Sequence, residues 1–113
     1  MLKTGKVYII GIGPGDSNLV TLRARELIEI ADIIIYDYIV DSKILEWPRE
    51  DAKTICVGKT AEQNALPKDE VQELLIRNAK MGHTVTRLKN GDPSVFERDG
   101  NEIKEKKSFK MLF

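Results

Sequence analysis

A chain of 113 residues is long enough for one folded domain with a modest core, and its 42% hydrophobic and 32% charged content excludes the disordered class. Eighteen basic and eighteen acidic side chains cancel to a formal charge of zero, which speaks against nucleic acid or an anionic membrane surface as partner. Cys56 and His83 are the only cysteine and histidine, so an internal disulfide is impossible and no metal cluster is expected.

In chain order, the first apolar run is Val7 to Ile12. It is too short for a signal sequence or a membrane span, and Gly13-Pro14-Gly15 breaks it, so a cytoplasmic protein is expected. Its near-continuous apolar character fits a parallel strand covered on both faces, as does that of Ile33 to Tyr36. Between them, Val20, Ala24, Leu27, Ile28 and Ala31 share one helical stripe, with Thr21 placed to cap it. A short helical piece is expected from Ser42 to Trp47, where Trp47 anchors the end by packing and Pro48 stops it. Thr54 to Val57 reads as a third strand, with Cys56 as a small core residue.

Pro67 at the first helical position, Asp69 and Glu70 in the first turn and Gly82 after the last bound a second helix. It carries Val71, Leu75 and Ala79 on one face. Thr84 to Leu88 is the fourth strand, opened by a solvent-exposed His83. "NGDPSVF" forms a second glycine–proline turn, Asp99 to Lys107 a charged helical stretch, and Phe109 to Phe113 the start of a fifth strand. The alternation predicts a single α/β domain over residues 1–113 built on a parallel sheet.

The turn "GIGPGD" at 11–16 invites comparison with the dinucleotide fingerprint G-x-G-x-x-G. Gly11 and Gly13 match its first two glycines, but Asp16 stands at the third. Pro14 has no N–H to offer an anion, and the Asp16 carboxylate would face a phosphate. These residues suit a neutral or cationic ligand that approaches the backbone closely. Two other readings stay open at this point. Asp37 could stand in for the ribose-binding acid of a dinucleotide fold, or the turn could be a plain strand-to-helix connection.

"GIGPGD" at 11–16, "ADIIIYDYIV" at 31–40, "VGK" at 57–59 and "RLKNGDPSVF" at 87–96 follow one another in a telling order and spacing. Together they resemble the N-terminal domain of the tetrapyrrole methylases, and within that family most of all the uroporphyrinogen-III C-methyltransferases, from about Gly5 to Glu102. The resemblance implies transfer of methyl groups from S-adenosylmethionine to carbons of a reduced tetrapyrrole, giving precorrin-2 on the way to cobalamin or sirohaem. It also implies a parallel-sheet αβα domain, a second α/β domain forming the other wall of a cleft that holds the methyl donor, and a homodimer.

By position, the resemblance places Gly11, Gly13 and Pro14 along the cofactor cleft. Gly91 and Asp92 would contact the methyl donor, and Pro93 would fix their turn. Asp37 sits where the family keeps an acidic residue at the cleft mouth and is assigned to catalysis. Arg98 matches an arginine that binds substrate carboxylates and assists proton removal. A guanidinium suits the acetate and propionate arms of a tetrapyrrole, and its normal pKa makes it a positioning group before a base. Lys59 is either a surface lysine after a strand or a positive wall for the same carboxylates.

The chain also departs from the family pattern. Asn90 stands in place of the first of two glycines, Glu97 in place of a glycine, Asn101 in place of an acidic residue and Tyr38 in place of an arginine. A complete family member carries a second domain beyond this one, so the chain corresponds to the N-terminal half of a site built between domains. It is expected to need that C-terminal domain or a further copy as partner. An alternative of another class is a non-catalytic module of the same fold that dimerises. A methyltransferase for another tetrapyrrole intermediate is the alternative within the family, and a nucleotide-binding oxidoreductase is disfavoured by Asp16.

Overall fold

The apolar runs become the strands β1 (Lys6–Gly11), β2 (Ile33–Tyr36), β3 (Lys53–Cys56), β4 (Thr84–Lys89) and β5 (Phe109–Leu112), with helices α1 (Leu22–Ile30) and α2 (Lys68–Lys80) between them. A computed structural model describes residues 5–13, 16–39, 41–90 and 109–112, the last of these for backbone only. The expected helical stretch from Asp99 to Lys107 lies outside the described residues.

Every strand pairing is parallel, and the order across the sheet is β3-β2-β4-β1-β5. The fifth strand is therefore present and forms one edge beside β1.

The helix ends follow from particular residues. Thr21 caps α1, its Oγ1 accepting from the Ala24 N–H at 3.1 Å. Pro67 is the N-cap of α2 (φ −60°, ψ 153°) rather than its first helical residue, one position earlier than expected. Its missing N–H leaves nothing unsatisfied there. At the other end Gly82 takes φ +91°. The Gly82 N–H then bonds to the Ala79 carbonyl at 3.0 Å and the His83 N–H to that of Asn78 at 3.2 Å, a Schellman stop. Ser42–Glu46 is a short 3-10 helix, as expected in position, and a second one at Ser17–Leu19 was not foreshadowed.

The sheet is covered on both sides. Val7, Ile9, Ile33, Ile35 and Val85 pack against Val71, Leu75 and Ala79 of α2. Tyr8, Ile10, Ile34 and Leu88 pack on the other face against Ala24, Leu27 and Ile28 of α1 and against Ile44. The connections β1–α1–β2 and β2–3-10–β3 run the same way across the sheet and share a face. The return through α2 to β4 takes the opposite face, as right-handed crossovers require. Trp47 packs against the α1 side, and the Arg25 guanidinium lies 4.6 Å from its ring centre.

Parallel strands place all their C-terminal ends at one edge, so the loops after Gly11, Tyr36, Cys56 and Lys89 gather there. The opposite edge is tied by Asp32, which accepts from the Thr84 N–H and from Arg49 Nη2, each at 2.7 Å. The Thr84 N–H above all, and then Arg49, hold the Asp32 carboxyl below its ordinary value. No described helix is long and apolar enough to cross a membrane.

Candidate functional site

The C-terminal edge begins with the first turn. Gly11 pairs with Lys89, and the Ile12 N–H bonds to the Lys89 carbonyl at 3.0 Å, so β1 and β4 run side by side to their ends. Gly13 then turns the chain with φ +61°, and a Cβ there would meet no described atom within 4 Å beyond its chain neighbours. A left-handed residue beside open space is what close approach of a ligand to backbone requires. Asp16, which argued against an anion in the sequence, is occupied with its own turn: its carboxylate caps Ser17–Leu19 and accepts from the Asn18 N–H at 2.9 Å.

Asp41 couples this turn to the loop after β2. It accepts from the Ser17 N–H at 2.9 Å and from the Lys43 N–H at 3.0 Å. Hydrogen bonding from Ser17, and then from Lys43, lowers its carboxyl to about 2.

Asp37 follows directly on β2 and is held through both its side chain and its main chain. Arg87 on β4 lies on the α2 side of the sheet, its side chain only 5% exposed, and reaches Asp37 from below. Its Nη2 stands 3.2 Å from both Asp37 carboxylate oxygens, while Nη1 donates to the Leu88 carbonyl at 3.3 Å. The Asp37 carboxylate itself remains 37% exposed. The main chain of Asp37 is held as well: its carbonyl accepts from Cys56 Sγ at 3.3 Å. A Cβ on Gly58 would fall on that same carbonyl, so only glycine lets the chain leaving β3 pass so close. Cys56 is half-buried and a free thiol, less of a core residue than expected.

The loop after β3 is closed on itself. Gln63 Nε2 donates to the carbonyls of Cys56 and Gly58 at 3.1 and 3.0 Å, and the Leu66 N–H to that of Val57 at 2.9 Å. Lys59 projects from this loop and is exposed, at the same edge as Asp37 and without an ion pair to it among the described residues. Tyr38 is 56% exposed beside Asp37. At the end of β4, Asn90 has both Oδ1 and Nδ2 buried with no hydrogen-bond partner among the described residues. Such an amide costs about 1–3 kcal/mol until a partner meets it.

The structure therefore brings Gly11, Gly13, Asp37 and Lys59 to one edge. Pro14, Gly91, Asp92, Pro93 and Arg98 lie outside the described residues. Sequence reading gave Arg87 no role, although an arginine in an apolar strand signals a charge that needs a partner. His83 is at the opposite edge, half-exposed, with Nδ1 4.0 Å from Asp32.

Comparison with known proteins agrees with this fold. A siroheme synthase of Pseudomonas fluorescens is 47% identical over 105 residues, which are 93% of this chain and 23% of that protein. The uroporphyrin-III C-methyltransferase of Thermus thermophilus superposes with a TM-score of 0.77 at 30% identity, over 97% of this chain and 47% of that one. The same enzyme complexed with S-adenosylhomocysteine gives 0.72 at 34% identity, over 96% of this chain and 44% of that one. The chain thus spans under a quarter of the siroheme synthase and under half of each methyltransferase. Residues 6–110 match the family profile of the Tetrapyrrole (Corrin/Porphyrin) Methylases, and the chain belongs to that methyltransferase family.

Proposed function

We propose that this chain forms one wall of the donor cleft of a cytoplasmic, S-adenosylmethionine-dependent C-methyltransferase that converts uroporphyrinogen III towards precorrin-2. The observation that carries the reading is the company kept at the C-terminal edge. An open left-handed glycine, a buried unpaired amide and an arginine-held carboxylate converge there, with no described arrangement suited to a phosphate. The kinship with siroheme synthases and with a methyltransferase solved with S-adenosylhomocysteine supports the same substrate class.

S-adenosylmethionine, when bound, supplies an electrophilic methyl group on a sulfonium centre. This donor set fits such a guest, which is cationic and rich in hydrogen-bonding groups. Gly11 and Gly13 leave backbone accessible, with Pro14, Gly91, Asp92 and Pro93 completing the cofactor contacts by family position. The Asn90 amide offers an acceptor oxygen and an NH2 group with two donor hydrogens. Carbon methylation leaves positive charge on a pyrrole ring until a proton is lost, and Asp37 presents a fixed negative charge for it. Lys59 and Arg98 receive the carboxylate arms of the tetrapyrrole.

The other wall is supplied by a C-terminal domain or a further copy. Leu19, Tyr38 and Leu66, exposed on the loops after β1, β2 and β3, suit such a covering surface.

Calorimetric titration of the chain with S-adenosylhomocysteine tests the reading, followed by a methyl-transfer assay on uroporphyrinogen III with a separately expressed C-terminal domain added. Saturable binding and restored transfer are expected. Absence of both would end the proposal.

A further inference from the structure

The grip on Asp37 has a direction. One nitrogen of Arg87, Nη2, stands 3.2 Å from each of the two carboxylate oxygens. The other terminal nitrogen is committed to the Leu88 carbonyl. The backbone of Arg87 pairs with Ile35 on β2, and its buried side chain reaches two residues further along to Asp37. The carboxylate's outer side stays open to solvent. Cys56 and Gly58 fix the main chain of the same residue from the β3 side.

We propose that Arg87 is the positioning residue for Asp37. From inside the sheet it holds the carboxylate at one rotamer, so that the outer lone pairs meet the polar N–H face or the developing positive charge of the tetrapyrrole. Arg87 itself touches no substrate. The proposal rests on the reading of Asp37 as a substrate-facing group, and the two can fail separately.

The test is a double-mutant cycle in ligand affinity, read by fluorescence titration of the full chain with uroporphyrin III, the oxidised and air-stable form of the proposed substrate. Urea unfolding is run on every variant. Asp37→Asn keeps a neutral acceptor opposite Arg87, and Arg87→Met exchanges a buried charge for an apolar side chain of similar reach, so both are expected to fold. Each single variant should weaken uroporphyrin III binding about tenfold, the size of one charge-assisted hydrogen bond. The double variant should lose no more than Asp37→Asn alone, because Arg87 acts only through Asp37. Arg49→Met, which breaks an ion pair at the far edge, should bind as the unaltered chain does.

Arg87→Met binding normally while Asp37→Asn does not, or the two losses adding in the double variant, would overturn the positioning role and leave Asp37 standing. Normal binding by Asp37→Asn, or no binding by the unaltered chain, would overturn the reading of Asp37 and the proposal with it. Should Arg87→Met lose its fold, Arg87→Lys replaces it in the cycle. That variant keeps the charge but cannot hold Leu88 and Asp37 at once, so a loss of about threefold is expected, absent in the Asp37→Asn background.

Discussion

Gly58→Ala is the sharpest probe of how the edge is assembled. The added methyl would coincide with the Asp37 carbonyl oxygen and would also press on the Asp37 carbonyl carbon at 2.8 Å and Cα at 3.0 Å. These are backbone atoms, so no side-chain rotation can clear the space, and the ends of β2 and β3 must separate. The Cys56 Sγ bond to the Asp37 carbonyl and the Gln63 bond to the Gly58 carbonyl would be disturbed together. Overpacking of a filled site costs about 1–3 kcal/mol, and a clash with backbone belongs at the upper end, about 3 kcal/mol. For a domain of this size that lowers the melting temperature by roughly 10–20 °C and moves the urea midpoint by about 1–2 M. Equilibrium urea unfolding followed by circular dichroism measures it. A Gly58→Ala chain within about 0.5 kcal/mol of the unaltered one would refute the close approach and, with it, the three-sided hold on Asp37.

Gly13 should behave differently, because only its φ of +61° and not space opposes a side chain. Gly13→Ala is expected to cost about 1–2 kcal/mol and Gly13→Asn distinctly less, by the same unfolding assay, since Asn tolerates left-handed backbone. Leu75, fully buried under the sheet, should cost about 2–5 kcal/mol as Leu75→Ala, the range for a filled aliphatic site. Asp32 and Asp41 both lie below their ordinary 3.8 when folded, Asp41 at about 2. Their contribution is therefore complete above 3.8 and is lost as pH falls through the folded values. Urea midpoints should drop on acidification below about pH 4, less steeply in Asp41→Asn. An unchanged pH profile in that variant would contradict the Ser17 and Lys43 hydrogen bonds.

Much of this fold is written in local chemistry. Thr21, Pro67 and Gly82 punctuate the helices by capping, a missing N–H and a left-handed φ, and each is visible as a residue type in position. The runs at Val7 and Ile33 are apolar throughout because both faces of a parallel sheet are covered. What periodicity cannot give is which strands become neighbours. β4 inserts between β1 and β2, and that single fact brings Arg87 under Asp37 across fifty positions of sequence. Asp16 shows the converse: its carboxylate suggested a ligand's charge from sequence, yet it is used within two residues by its own turn. Asn90, unlike the glycine expected there, leaves an amide whose lack of partners only a structure reveals.

The central claim is that the methyl donor meets the C-terminal edge of the sheet. Titrating S-adenosylhomocysteine into isotope-labelled chain and following backbone and amide side-chain resonances tests it most directly. Shifts concentrated at Gly11 to Gly13, Asp37 and the Asn90 carboxamide are the predicted result. Shifts confined to the Asp32–Arg49–His83 edge, or none at saturating ligand, would contradict it.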